Sequence, residues 1–223
     1  MINSPQSNEI LIGSTSSAIR TLDLNSFTIN PKNFLRSHSF TVKHMEFLTN
    51  ECLLSYSRDN TIKIWNLPTK ECIQTIACLF DVKKIRKINN DTFICGYNDQ
   101  TIKIWSRINT NYRLEEEFEC TNTLIKATDG KYLLQLEINL ELNLLLCCSD
   151  RSINIWRLDD LQFLRRFIPE NDAPIRAFNC LFNEYLLVGT KEKKLEIFCL
   201  KTGKSLKIIK DHSSFINQIQ IID

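Results

Sequence analysis

Three aspartates recur at equivalent places in this sequence and are the first candidates for chemistry. Asp59, Asp99 and Asp150 each lie six residues before a tryptophan, and positioned carboxylates can act as general acids or bases. Each of them, however, follows one short apolar run and precedes another, which is the spacing of a tight turn between two strands. We therefore interpret these aspartates as turn residues and not as catalytic groups.

No other group of reactive residues indicates catalysis or metal binding. The chain has three histidines and lacks the nucleophile, phosphate-loop and zinc-protease motifs. Its nine cysteines form no C-x-x-C pair and lie mostly in apolar runs, which is typical of reduced, buried thiols. We expect a protein without enzymatic activity, cofactor or metal, located in the cytoplasm or the nucleus.

The charge balance favours neither nucleic acid nor membrane as a partner. Lysine and arginine total 28 and aspartate and glutamate total 26, a formal net charge of +2, which is too small for a protein that coats nucleic acid. The N-terminus carries no signal-peptide pattern, and the longest apolar run, 144–148, is far shorter than a membrane span.

A repeated phrase indicates the elements that must position these residues. Thr61-Ile62-Lys63-Ile64-Trp65 returns unchanged 40 residues later at 101–105, and looser copies lie at 152–156 and 194–198. β-branched residues that lead into an aromatic favour strands, and a period near 40 is typical of propeller blades. The strand and turn patterns predict hairpins at 10–24, 52–67, 93–106, 144–158 and 185–200. An innermost strand is predicted before every hairpin except the first, and a last one at 215–222.

These repeats resemble the WD40-repeat β-propellers. The second repeat carries the pattern most fully, with His38, then Ser57 and Asp59 at the turn, then Trp65. In that family a chain of hydrogen bonds runs from the histidine through the aspartate and serine to the indole N–H and locks the blade. The resemblance implies this network at His38, Ser57, Asp59 and Trp65, and parts of it at Asp99, Trp105, Asp150 and Trp156.

The resemblance implies one all-β, WD40-like propeller domain over residues 1–223, with about five blades. The family usually has seven blades, so the two ends are either cut edges of a larger propeller or partners that close a five-bladed ring. We favour the incomplete propeller because a five-bladed ring needs tighter curvature than the family normally has. An open arc would leave strand edges exposed.

The resemblance also implies a binding face. Two positions of each repeat emerge around the channel mouth in this family: the residue after the first apolar position of the innermost strand, and the residue before the turn aspartate. Of ten such positions none is acidic and five are basic, namely Lys43, Arg58, Lys83, Arg176 and Lys191. With the nearby Arg151 they form what we call the basic rim. Such cations raise the local positive potential and can hold carboxylates or phosphates; alternatively, they decorate an exposed edge.

The predicted function is therefore a non-enzymatic scaffold that binds peptides or loops of other proteins, acidic or phosphorylated ones, on the basic rim. F-box/WD-type substrate adaptors use comparable rims, although no F-box precedes these repeats. The alternative is a structural subunit whose open blade edge is completed by a partner strand. Nucleic-acid binding is disfavoured because no aromatic residues alternate with the rim positions.

Overall fold

Strands provide nearly all the regular structure of this chain. The computed structural model describes residues 2–3, 8–13, 17–108, 117–128, 130 and 132–220. Across these residues there are twenty strands and one turn of 3-10 helix, Glu170–Asp172. The chain divides into two compact units, one formed by Met1–Asn98 with Ile102–Thr123 and the other by Asp99–Thr101 with Leu124–Asp223.

The first unit contains three four-stranded sheets, and in each of them strands adjacent in the chain are adjacent in the sheet. The first sheet consists of β1 (Ile2–Asn3), β2 (Glu9–Gly13), β3 (Ala18–Asp23) and β4 (Thr28–Arg36). The second consists of β5 (Val42–Phe47), β6 (Cys52–Ser57), β7 (Thr61–Asn66) and β8 (Glu71–Ala77). The third consists of β9 (Val82–Asn89), β10 (Thr92–Tyr97), β11 (Ile102–Ile108) and β12 (Glu117–Leu124).

The second unit contains two further sheets of the same kind. The fourth sheet consists of β13 (Gln135–Asn139), β14 (Leu144–Cys148), β15 (Ile153–Arg157) and β16 (Phe163–Phe167). The fifth consists of β17 (Ile175–Leu181), β18 (Tyr185–Thr190), β19 (Leu195–Cys199) and β20 (Ser205–Ile209). The prediction of an all-β chain with about five blades is confirmed, and none of the five sheets in the described residues closes on itself.

The repeated phrase forms the third strand of its sheet because its β-branched residues suit a buried, pleated surface. β6 and β7 pair in antiparallel register, with Tyr56 opposite Ile62 and Leu53 opposite Trp65. The turn between them places Asn60 at φ 59°, a left-handed conformation that asparagine tolerates better than most residues. The turn aspartates predicted from the spacing therefore lie at the ends of hairpins.

Apolar residues from adjacent sheets pack into the cores of the two units. In the first unit Leu54, Tyr56 and Phe93 are fully buried where the second and third sheets pack together. In the second unit Leu146 and Val188 play the same part between the fourth and fifth sheets. Each such side chain contributes about 1.5–3 kcal/mol by leaving water. Packing between neighbouring sheets therefore supplies much of the stability of each unit.

All nine cysteines are free thiols. Burial raises the pKa of Cys95 and of Cys147 well above the ordinary thiol value. These side chains therefore stay protonated and act as small apolar core residues.

The two ends of the chain differ from the sequence prediction. The first sheet has a short innermost strand, β1, whose two residues pair with Ile10 and Leu11 of β2. No innermost strand was predicted there because the residues before Ile10 show no apolar period. The predicted innermost strand at 215–222 was wrong for residues 215–220, which form no strand, and 221–222 lie outside the described residues. A strand requires a backbone ladder, whereas this segment packs through Ile216 against Gly189 and receives a side-chain hydrogen bond from Asn179.

Candidate functional site

The second sheet contains a buried hydrogen-bond network that joins three elements. The His38 ring contacts the Asp59 carboxylate through Nδ1 at 2.8 Å and the Ser55 hydroxyl through Nε2 at 2.7 Å. The Trp65 indole N–H donates to the same Ser55 oxygen at 2.7 Å. The serine between histidine and tryptophan is thus Ser55, and the predicted Ser57 instead donates to the Phe40 carbonyl. One hydroxyl therefore satisfies two ring nitrogens that would otherwise be buried unpaired.

The network fixes the charge states of its members. Burial lowers the pKa of His38 below its ordinary value of 6.5, although the Asp59 carboxylate acts in the opposite direction. Burial opposes ionisation of Asp59, but hydrogen bonds from Thr61, Ser39 and His38 outweigh it and lower the pKa of Asp59. The network therefore holds a neutral imidazole beside an ionised carboxylate.

Stability should fall as the pH drops below 6.5, the ordinary imidazole pKa. Burial also lowers the pKa of His44, which lies beside Lys84. Because both histidines bind protons more weakly in the folded chain, the unfolded chain takes up more protons below pH 6.5 and is favoured. Urea midpoints at about pH 7.5 and about pH 5.5 measure this effect without titrating most carboxylates. The variant H38Q/H44Q should lose most of the difference and H212Q, at an exposed histidine, should keep it; equal pH dependence in both would refute the assignment.

The third sheet repeats the same phrase with a different outcome. Asp99 accepts hydrogen bonds from the backbone N–H and the hydroxyl of Thr101 at 3.0 and 2.8 Å, so it acts as a turn residue. The Trp105 ring stacks near Phe93, but its buried indole N–H makes no hydrogen bond of normal geometry with a described residue, although it lies close to the Tyr97 hydroxyl. The five-residue phrase 101–105 therefore recurs without the histidine-to-tryptophan hydrogen-bond network of the second sheet.

The fourth sheet satisfies its tryptophan by another route. The Trp156 indole N–H donates to the backbone carbonyl of Ala127 at 3.1 Å. Asp150 occupies the equivalent turn, and one of its buried carboxylate oxygens has no hydrogen-bond partner in the described part of the chain. Among the described residues, the full chain from histidine to tryptophan is present in the second sheet alone.

Three members of the basic rim occupy the same backbone irregularity. Lys43, Lys83 and Arg176 each lie at a β-bulge near the start of an innermost strand, where the register shifts by one residue. A bulge leaves its extra residue without a directly opposed partner and re-aims its side chain. The fold thus singles out these three predicted positions.

Backbone hydrogen bonds bring the two rim positions of a repeat together. The amide of Arg58 donates to the carbonyl of Thr41, two residues before Lys43. The amide of Lys191 likewise donates to Pro174, two residues before Arg176. The first bond measures 2.9 Å and the second 2.8 Å. Each of these hairpin turns is therefore fastened to the start of its own innermost strand.

Two of the rim lysines are engaged by a carboxylate that sequence reasoning missed. The Asp81 carboxylate accepts hydrogen bonds from the Lys43 ammonium at 2.6 Å, the Lys83 ammonium at 3.0 Å and the Tyr56 hydroxyl at 2.8 Å. Partial burial opposes ionisation of this carboxyl, but these hydrogen bonds outweigh it and lower the pKa of Asp81 to about 2. We call Lys43, Tyr56, Asp81 and Lys83 the Asp81 cluster. The one available signal was an acidic residue directly before an innermost strand.

The remaining rim residues are exposed cations. Arg58 lies in the first unit, whereas Arg151, Arg176 and Lys191 lie in the second. The amide of Ile175 donates to the Asp150 carbonyl at 2.9 Å, so the turn that carries Arg151 adjoins the start of β17 and hence Arg176. None of these four side chains forms an ion pair with another described residue. We call Arg151, Arg176 and Lys191 the second-unit cluster.

Other kinds of site find no support in the part of the chain that the structure describes. No group of three or more histidine, cysteine, aspartate or glutamate side chains there could hold a metal ion. No helix within those residues has the length and apolar character needed to cross a bilayer.

Meander sheets of four strands, with a histidine-to-tryptophan network in the second of them, define a protein built from propeller-type blades. The family model WD40, described as WD domain, G-beta repeat, matches residues 29–66, which run from β4 to the end of β7 and include the whole network. This match spans 38 of the 223 residues, so that part of the chain is similar to a WD40 repeat, and the blade-like sheets agree with that likeness. No curated protein matches the chain. WD40 repeats generally serve as protein-interaction scaffolds and not as enzymes.

Proposed function

We propose that this protein is a non-enzymatic scaffold that binds acidic or phosphorylated peptides or loops of other proteins on its basic rim. The observation that carries the proposal is the second-unit cluster. Its three cations are exposed and make no ion pair with any described residue, and backbone hydrogen bonds hold their backbones at one end of the fourth and fifth sheets.

The small free energy of each exposed ion pair favours an extended ligand over a single small anion. An exposed ion pair contributes only about 0.2–1 kcal/mol, so micromolar binding, about −8 kcal/mol, needs several contacts at once. The first unit also exposes apolar side chains a few residues before its rim lysines, since Phe40 is 61% exposed and Phe80 is 50% exposed. A peptide that alternates acidic and apolar side chains uses both kinds of contact.

Charge reversal in the second-unit cluster tests this function. In R176E/K191E, acidic and phosphoserine peptides from a defined library should bind at least about tenfold more weakly, a loss of about 1.4 kcal/mol. The matched control is K204E/K207E, which makes the same charge change at exposed positions of the last hairpin. Peptide affinities are measured by fluorescence anisotropy at low and high salt, since screening should weaken true ionic binding. Unchanged affinity in a folded R176E/K191E variant would refute the proposal.

A structural role is the second candidate, and the outer strands favour it. Ile73 on β8, Phe163 on β16 and Leu206 on β20 are 47%, 44% and 54% exposed on strands at the outer edge of their sheets. Such edges can accept a partner strand. Partner binding that survives the rim variants would favour this role.

We also propose a cytoplasmic or nuclear location for the scaffold. All nine thiols are free, and reducing compartments keep cysteines in that form.

A further inference from the structure

The Asp81 cluster has the composition of an anion-binding site that is already filled. Lys43 on β5, Tyr56 on β6 and Lys83 on β9 all donate to one carboxylate, at 2.6, 2.8 and 3.0 Å. These donors come from three strands of two adjacent sheets in the first unit. Two ammonium groups facing one carboxylate leave one positive charge unmatched.

The Tyr56 hydroxyl and the backbone positions of Lys43 and Lys83 do not depend on Asp81 for their placement. Tyr56 is fully buried, and burial, reinforced by the nearby Asp81 carboxylate, raises the pKa of its hydroxyl, so it remains a hydrogen-bond donor. The Lys43 ammonium also lies 5.7 Å from the centre of the Tyr56 ring. Lys43 and Lys83 each start from a bulge, which aims them away from the ladder. Loss of the carboxylate would therefore leave the buried hydroxyl in place and two ammonium groups within reach of a replacement anion.

We infer that Lys43, Tyr56 and Lys83 form a binding site for a dianionic phosphoryl group on a partner segment, and that Asp81 is its internal occupant in the free chain. A tethered carboxylate competes at a high effective concentration, so a monoanionic side chain gains little by replacing it. A phosphoryl group brings about two negative charges and three acceptor oxygens. It matches both lysines and the tyrosine at once.

The occupant can leave without unfolding its surroundings. The Asp81 side chain is 33% exposed, so rotation about its side-chain bonds can carry the carboxylate into water. Its backbone stays in place because the Asn98 amide donates to the Asp81 carbonyl at 2.8 Å. Leu79, two residues earlier, is 91% exposed and covers nothing. Exchange therefore needs only a side-chain movement.

The test compares phosphate binding with and without the occupant. Inorganic phosphate is titrated by calorimetry at about pH 8, where it is mainly dianionic, with acetate and chloride at matched ionic strength as monoanions. The variant D81N should bind phosphate at least roughly tenfold more tightly than wild type because the tethered competitor is gone. D99N is the control, since its carboxylate lies in a turn of the same sheet and receives its hydrogen bonds from Thr101.

Each outcome decides the inference. Tight phosphate binding by D81N that is lost in D81N/K43M/K83M supports it. Equal phosphate affinity in wild type and D81N, or a gain in D81N that persists without the two lysines, overturns it. If D81N does not fold, wild type and K43M/K83M are compared with a phosphoserine peptide, and equal affinity again overturns the inference.

The inference rests on the proposed function only in that partner segments approach this rim. The two can fail separately, because R176E/K191E changes the second unit, whereas the difference in phosphate affinity between wild type and D81N reports on the first.

Discussion

Replacing Ser55 with alanine is expected to lower the free energy of unfolding by about 2–5 kcal/mol, because it removes the partner of two buried ring nitrogens. The hydroxyl accepts from the Trp65 indole at 2.7 Å and contacts the His38 ring at 2.7 Å, and Ser55 is fully buried. Alanine leaves both nitrogens without protein or solvent partners. Few single substitutions of a small residue in this chain should cost as much.

Ser57→Ala is the matched control for Ser55→Ala. Ser57 donates to the Phe40 carbonyl at 2.8 Å and serves neither ring, so its loss should cost only about 1 kcal/mol. Urea unfolding followed by tryptophan fluorescence and circular dichroism gives both values. The assignment of the network to Ser55 would be wrong if Ser57→Ala proved the more destabilising change.

Trp65→Phe should destabilise the chain by about 2 kcal/mol, whereas Trp105→Phe should change stability by less than about 1 kcal/mol. Trp65 is 1% exposed and its N–H is bonded to Ser55, so phenylalanine loses a hydrogen bond and leaves a gap. The buried N–H of Trp105 makes no hydrogen bond of normal geometry with a described residue, although the Tyr97 hydroxyl lies close to it. Removing that group relieves a desolvation cost that offsets the lost volume.

The two tryptophans make a controlled pair because they end identical five-residue phrases. Thermal and urea unfolding of both variants gives the difference directly. Equal losses for the two substitutions would show that the polar network contributes nothing beyond packing, and a larger loss for Trp105→Phe would contradict the structure outright.

The order of strands and turns in each sheet could be predicted from the sequence because it depends on local residue patterns. Alternating β-branched residues, turn aspartates and a 40-residue period each act within one hairpin. The same local pattern predicted the wrong serine of the network, Ser57 instead of Ser55. Ser55 and Ser57 lie two residues apart on β6, so a period of two places both on one face and cannot choose between them. Position along the strand decides which serine joins the network: Ser55 lies opposite Lys63 in the middle of β6, whereas Ser57 lies at the turn.

The Asp81 cluster could not be predicted from one repeat at a time. The contact between Lys43 and Asp81 joins residues 38 positions apart on two different sheets. Repeats in the sequence align equivalent positions of the blades, but a contact between neighbouring blades involves positions that are not equivalent. The sequence therefore did not predict that the Asp81 carboxylate neutralises part of the rim. Of the rim side chains, Arg58 and the second-unit cluster form no ion pair with a described residue.

The bulges at Lys43, Lys83 and Arg176 place the side chains of the proposed binding rim outside the cross-strand pairs that hold the sheets together. A residue at a bulge has no directly opposed neighbour, so exchanging its side chain removes neither a cross-strand pair nor a ladder hydrogen bond. In evolutionary terms, Arg176 is a position at which a single substitution can change the exposed charge while the free energy of unfolding stays nearly constant, whereas replacing Lys43 or Lys83 also removes an ion pair with Asp81. A designer who wishes to redirect this scaffold should begin at Arg176 and leave β6 and β7 alone.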